Sequence, residues 1–321
     1  MLKSKLRNIS LALALVLAPT TALVALQTPV TVFAAGDATG VTADMATILK
    51  NQQTDGGWLK YYGEKSGDWA KSTIDNKATY TEIRRLAAEY IKTKDAKYSA
   101  AAIKGINFLL NMQYANGGWP QVYKGSGYHT HITFNDDAMI NVMYLLDEVA
   151  NKKGNFSFVD NTLAAKCKAS VDKGVNCILK TQVVVNGKLT AWGQQHDENT
   201  LKPTYARAYE VPSLCTTESV TIVKFLKTRK STPQIAASIK AATDWFAKVK
   251  IVGIKATRTK TDTVITKDPN SVIWARFYEI GTDKPIFVNR KGEVKYNISE
   301  IEQERRAGYA WYNTSPASLI K

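Results

Sequence analysis

The sequence predicts a mainly α-helical domain: an α/α toroid, a barrel of helical hairpins, with an irregular coil and short-strand C-terminal portion. Three observations predict it. First, a degenerate repeat runs through the front half. LKNQQTDGGW at 49–58 is echoed by LNMQYANGGW at 110–119 and, more loosely, by LKTQVVVNGKLTAW at 179–192. A spacing of about 60–70 residues leaves room for two helices per unit. Second, apolar residues recur at helical spacing between the copies. Third, that period stops near residue 250, where β-branched residues and turn signals take over.

The first residues read as an export signal spanning 1–34. Lys3, Lys5 and Arg7 form a cationic start, Leu11 to Ala18 an apolar stretch, and Val32-Phe33-Ala34 a small-residue cleavage pattern. The apolar run is short and broken by Pro19, which disfavours a permanent anchor. The expected product is a secreted, extracellular chain of residues 35–321, folded as one domain, monomeric and free of the membrane.

Within it, Thr79–Thr93 places Ile83, Leu86, Ala87, Tyr90 and Ile91 on one helical face. Ala100–Gln113 and Asp137–Val149 follow the same period, and Asn161–Lys180, Glu218–Lys227 and Pro233–Val249 complete the helical set. Each repeat copy joins a helix end to a glycine turn, because glycine reaches left-handed backbone at little cost. Trp58, Trp119 and Trp192 then pack back onto the helices as core residues. The segments 251–266 and 274–296 carry Gly281-Thr282, Asp283-Lys284-Pro285 and Arg290-Lys291-Gly292 turns. Short strands in irregular coil are expected there, over one mouth of the ring.

The formal net charge is +15. Such a surplus selects anionic partners. The basic residues are spread along the chain rather than blocked into a tail, and an exported chain meets polysaccharide more readily than nucleic acid, so nucleic acid is excluded as a partner. Cys167 and Cys177 fall in one expected helix, about 15 Å apart along its axis, too far for a disulfide. With Cys215 they are expected to be buried free thiols.

Against this basic background stands ITFNDDAM at 132–139, in which Asn135, Asp136 and Asp137 lie where an extended stretch hands over to a helix. Carboxylates there can cap the helix or hold a hard cation. Asp75 and Asn76, in STIDNKAT at 72–79, offer the same choice. Arg207, in TYARAYEVPSL at 204–214, is flanked by aromatics, a carboxylate and a proline. Arg276, Arg290, Arg305 and Arg306 lie in the runs WARFYE, VNRKG and ERRAGYAWY, mostly beside aromatic residues. Guanidinium forks suit carboxylate recognition, although each of these arginines could also serve in a surface ion pair. His129, His131 and His196 lack zinc spacing and are expected to be structural or groove-lining.

Taken together, STIDNKAT, ITFNDDAM, ARAYEVPSL and WARFYE resemble the family-ten pectate lyases, over nearly the whole of 35–321. The resemblance implies a catalytic domain with a helical toroid, a substrate groove, polygalacturonate as substrate and calcium as cofactor. It implies that Arg207 matches the catalytic arginine and that Asp75 and Asn76 match an acidic motif at the groove. The calcium-binding aspartate falls on Asp136, with Asp137 beside it as the other candidate and Asp75 as a further ligand. Arg276, Arg290 and Arg305 match arginines that bind galacturonate carboxylates.

The implied reaction is β-elimination. The proton to be removed lies α to a uronate carboxylate and is weakly acidic, so cationic stabilisation of developing charge is required. Arg207 as base needs its charged form disfavoured, and neighbouring cations act in that direction. Two alternatives stay open on the residues: a non-catalytic binder of polyanions or cell-wall polymer, and a lyase for another uronate polymer such as alginate, for which Tyr128 and His129 supply proton-transfer groups.

Overall fold

The computed structural model describes residues 39–320 with the exception of residue 208. The expected export signal lies outside the described residues. Among the described residues no helix is long and apolar enough to cross a membrane.

The helices are α1 (Met45–Lys50), α2 (Tyr80–Thr93), α3 (Ala96–Met112), α4 (Ala138–Ala150), α5 (Asn161–Thr181), α6 (Thr216–Lys227), α7 (Pro233–Lys248) and α8 (Gln303–Gly308). They begin where the sequence supplies caps. Asp44 and Asp160 each accept a backbone N–H three residues on, at 2.7 Å. Thr232 accepts from Ile235 at 3.2 Å, and Pro233 occupies the first turn, where its missing N–H costs nothing.

Three helical hairpins are formed, α2–α3, α4–α5 and α6–α7. Inner helices α2, α4 and α6 are neighbours in that order, and outer helices α3, α5 and α7 likewise. The repeated Gln and Trp explain the stacking. Gln52, Gln113 and Gln182 each donate through Nε2 across their own turn, to Gly56, Gly117 and Thr190. Each also donates to a carbonyl of the next outer helix, at Ala101, Ser170 and Ser238, all within 2.8–3.0 Å. Trp58, Trp119 and Trp192 are fully buried and donate Nε1–H to Ile48, Leu109 and Ile178, each at 2.8 Å. The first glycine of the turn is obligatory. At Gly117, φ is +95° and a Cβ would meet the Lys173 carbonyl oxygen at 2.1 Å.

The expectation of an α/α toroid is not met. The described residues form three consecutive helical hairpins, inner beside inner and outer beside outer, together with four small sheets. The reason lies after α7, where a closed ring would need further helical hairpins. The chain instead enters a long antiparallel hairpin, β6 (Ile251–Arg258) and β7 (Thr263–Ala275), with a register shift beside Gly253 at φ +88°. That hairpin replaces the short strands expected there.

A fourth copy of the tryptophan contact survives the change. Trp274, at the end of β7, is fully buried and donates Nε1–H to Phe246 of α7 at 2.8 Å. The β6–β7 hairpin thus occupies the place that the glycine turn holds in the first two units.

The remaining strands are short: β1 (Ile132–Thr133), β2 (Val184–Val185), β3 (Lys188–Leu189), β4 (Gln195–His196), β5 (Leu214–Cys215), β8 (Phe277–Tyr278), β9 (Pro285–Val288), β10 (Val294–Lys295) and β11 (Tyr312–Asn313). They pair as β1-β4, β2-β3, β10-β9-β8-β5 and β11-β7-β6. The β5–β8 pairing joins the start of α6 to the C-terminal third. A second apolar cluster, with Phe277, Phe287, Val288, Tyr309 and Trp311, fills that third. All three cysteines are buried free thiols, as expected.

Candidate functional site

The site builds on the starts of the inner helices. Two short 3-10 turns, Asp75–Lys77 and Asn135–Asp137, precede α2 and α4. The first touches α4 and the second touches α6, so the helix starts lie at one end of the hairpins. Their backbones share an unusual conformation. Asn76 has φ 45° and ψ 40°, and Asp136 has φ 51° and ψ 28°. Lys77, Thr79 and Asp137 also have positive φ. For L-residues this costs about 1–2 kcal/mol each, least for Asn and Asp, and such strain concentrates at functional sites.

The carboxylates differ in their partners. Asp75 is buried and paired with Lys60 Nζ at 2.7 Å, and Lys60 in turn lies 4.3 Å from the Trp69 ring centroid. Asp137 accepts the Thr221 hydroxyl of α6 at 2.7 Å, and burial pushes its carboxyl up to about 6. Asp136 has neither an ion pair nor a side-chain hydrogen bond among the described residues. Lost solvation raises its carboxyl, Arg276 and Arg207 oppose the rise, and Asp75 and Glu218 add to it. Asn76 is exposed beside this group.

Arg276 approaches from the C-terminal third. Its Nη2 meets Glu218 Oε1 at 2.5 Å, and the Cys215 thiol donates to the other Glu218 oxygen. Burial alone would push this guanidinium down, but Glu218 carries it well above its ordinary value. Arg276 Nε is buried without a partner among the described residues.

Tyr209 gathers three arginines: the guanidinium carbons of Arg305, Arg290 and Arg207 lie 4.0, 5.1 and 5.4 Å from its ring centroid. Arg290 is exposed and grips Glu304 bidentately at 2.5 and 2.7 Å. Arg305 is buried, packs on Tyr309 and Trp311 as well, and leaves Nη2 without a partner among the described residues. Burial, with Arg290 nearby, lowers its guanidinium.

Arg207 is held by Glu210 through Nε at 2.8 Å and Nη2 at 2.5 Å. Its side chain is 44% exposed, whereas that of Glu210 is 1% exposed. The pair with Glu210 raises Arg207 above its ordinary value. This corrects the expectation that its surroundings disfavour the charged form.

The structure therefore brings Asp75, Asp136, Asp137, Arg207 and Arg276 into one electrostatic neighbourhood, and Tyr209 links Arg207 to Arg290 and Arg305. Lys60, Glu218, Tyr209 and Tyr309 were not singled out from sequence. The contacts that bring Lys60, Glu218 and Tyr309 into the site, to Asp75, Arg276 and Gln194, span 15, 58 and 115 residues and leave no local signal, whereas Tyr209 was visible only as an aromatic beside Arg207. Glu210 was visible only as the carboxylate three residues after Arg207.

The histidines divide. His129 Nδ1 meets Asp68 at 2.8 Å, and His131 Nδ1 meets Glu198 at 3.0 Å. His131, Asp197 and Glu198 bring three possible ligand atoms within 4.8 Å of one another, a grouping absent from the sequence expectations. Asp197 and Glu198 already accept protein hydrogen bonds, from Thr200 N–H at 2.6 Å and from the Thr130 hydroxyl at 2.9 Å.

His196 is fully buried in β4, with Nδ1 donating to Leu201 O at 2.9 Å and Nε2 accepting from Gly193 N–H at 3.0 Å. That pair of bonds requires the neutral ring, and burial holds it down to about 4. An unfolded imidazole takes up its proton at about 6.5, so this residue's contribution is complete above that pH. It falls by about 3 kcal/mol as pH drops toward 4. Buried Glu82, raised to about 7 by desolvation, tilts stability the other way. NMR titration isolates the histidine: one imidazole should remain neutral down to about pH 4. Protonation of all the histidines near pH 6.5 contradicts this account.

The family described as pectic acid lyase matches residues 50–320 of this chain. The chain belongs to the pectic acid lyase family. Solved structures agree with that membership. The family 10 polysaccharide lyase from Cellvibrio cellulosa is 34% identical, with a TM-score of 0.79 over 87% of this chain and 91% of that one. A variant of a family 10 polysaccharide lyase from the same organism, in complex with trigalacturonic acid, is 34% identical. Its TM-score is 0.78, over 86% of this chain and 89% of that one. Among curated proteins none matches. This pectic acid lyase is accordingly a polysaccharide lyase of family ten, and the three hairpins with the C-terminal third lie almost wholly within the matched region.

Proposed function

We propose that this pectate lyase is an exported enzyme that cleaves de-esterified polygalacturonate by calcium-assisted β-elimination, with Arg207 as the base. The observation that carries the proposal is Asp136. It is a carboxylate without a protein partner among the described residues, set on left-handed backbone and flanked by Asp75, Asp137, Arg207 and Arg276. The trigalacturonic acid complex of the Cellvibrio lyase supports the substrate class.

The residues present fit a calcium ion. Asp136, Asp137 and Asp75 offer hard oxygen donors, which calcium prefers. Asp136 is open to solvent, and lost solvation with neighbouring carboxylates holds both it and Asp137 above the ordinary carboxylate range, so a divalent charge at that point would be welcome. Lys60 and Arg276 already offset part of the negative charge, which favours an ion that arrives together with a uronate. Bound there, calcium supplies Lewis-acid withdrawal from the uronate carboxylate.

The chain's own groups do the rest. Neutral Arg207 takes the proton from C5 of the uronate, the C–H electrons form the C4=C5 double bond, and the C4–O4 bond breaks. The leaving O4 takes a proton from water. Arg290, exposed on Tyr209 with its Nε and Nη2 edge on Glu304, would meet a substrate carboxylate through Nη1, and Asn76 would do so by hydrogen bonding. Arg276 and Arg305 each carry an orphaned buried N–H, which supports a demand for acceptors that the protein itself does not meet. Their charges also add to the field over the site.

The decisive assay follows ultraviolet absorbance of the conjugated product on polygalacturonate, with and without a calcium chelator, with alginate in parallel. Absorbance should rise on polygalacturonate alone and stop on chelation. Growth on alginate only, or growth indifferent to chelator, rejects the proposal.

A further inference from the structure

We infer that Glu210 is a positioning residue for the lyase reaction: its buried carboxylate, held by Tyr309, grips the Nε and Nη2 edge of Arg207 and leaves Nη1 as the nitrogen turned to substrate. The inference rests on Arg207 being the base. Three contacts fix the arginine. Glu210 accepts from Arg207 Nε, Nη2 and the backbone N–H, the last at 3.2 Å. Nη1 makes no hydrogen bond among the described residues.

The carboxylate is itself fixed from behind. The Tyr309 hydroxyl donates to Glu210 Oε1 at 2.9 Å. Gln194 Nε2 lies 3.3 Å from that hydroxyl and donates to Asn135 Oδ1 at 2.6 Å. A continuous polar chain therefore joins Asn135, the residue before Asp136, to the base through three side chains, Gln194, Tyr309 and Glu210. Gln194 and Glu210 are buried. Such a frame ties the two elements to one another, and a general base works only when held in register with the group it serves.

A purely structural ion pair would look different. Surface pairs at three-residue spacing contribute little to stability, and burying a carboxylate under a half-exposed arginine carries a desolvation cost. The charged and titratable groups facing the pair are Tyr309 with Arg276 and Glu218 acting on it, Tyr209 with Arg290 and Arg305 on its ring, Asp136, and Tyr128. Glu210 is the carboxylate in contact with the guanidinium, so it both aligns Arg207 and favours its protonated form. Glu210 thus aligns the base while shrinking the fraction of it that is neutral, and the opposition yields a test.

Glu210→Gln removes the charge and keeps the volume. Glu210→Asp keeps the charge and shortens the reach. Initial rates on polygalacturonate with saturating calcium are measured against pH, alongside Arg207→Ala. E210Q should lose about 10- to 100-fold in kcat and move the acid limb of the profile to lower pH by about one unit. E210D should lose kcat by a similar factor with the limb near that of the wild type. KM should change less than about threefold in both. An inactive R207A together with wild-type kcat and limb in E210Q overturns the role of Glu210 alone. Full activity in R207A overturns the base assignment instead. If E210Q does not fold, Tyr309→Phe decides: a several-fold fall in kcat at constant KM supports the frame, and wild-type kcat overturns it.

Discussion

Arg207→Ala should leave a folded protein whose turnover on polygalacturonate falls by about 10²- to 10⁴-fold, the range of a lost general base. The side chain is half-exposed, and its loss removes one ion pair and one aromatic contact. Polymer binding should survive largely intact, because Arg276, Arg290 and Arg305 remain. Glu210, left without its guanidinium, keeps the Tyr309 hydroxyl and gains access to water. The thermal midpoint should therefore move little. Rates from the unsaturated product, set beside polymer binding by calorimetry, check both halves. Retained turnover ends the case for a base at this position.

The second large effect is on stability. Glu218→Ala should destabilise the fold by about 3–5 kcal/mol, because it strands a buried cation. Arg276 is almost wholly enclosed, and Glu218 is its one ion-pair partner among the described residues. The Cys215 thiol loses its acceptor in the same step. Since β5 and β8 pair at Cys215 and Phe277, the damage falls on the seam between α6 and the C-terminal third. Urea unfolding of the purified variant measures it. A loss below about 1 kcal/mol would mean that solvent reaches Arg276 and that the pair is a surface feature.

The long helices were legible because their apolar residues keep a strict period. Asn161–Lys180 was expected and α5 runs Asn161–Thr181; Pro233–Val249 was expected and α7 runs Pro233–Lys248. The Gln-turn-Trp repeat was legible for the same reason, being local. Ring closure was not. It depended on the segment C-terminal to α7, and the β6–β7 strands there are largely exposed, so their alternation is weak. At the site, Asp75, Asp136 and Arg207 could be picked out as isolated polar groups in short motifs. The fate of Arg276 and Arg305 could not, because a sequence does not show which rings will enclose a guanidinium. Nor could the balance on Arg207. Neighbouring arginines suggested a weakened cation, while Glu210, three residues away, strengthens it.

The fourth tryptophan has an architectural consequence. Trp274 anchors to Phe246 in the way that Trp58 anchors to Ile48, yet the chain between the two anchor points is far longer in the last unit. Anchor and excursion are separable. The same tryptophan contact is thus made in this chain across connecting segments of very different length. That makes the β6–β7 hairpin the natural splice point for grafting a foreign segment, or for trimming the enzyme, without disturbing the helical stack beneath.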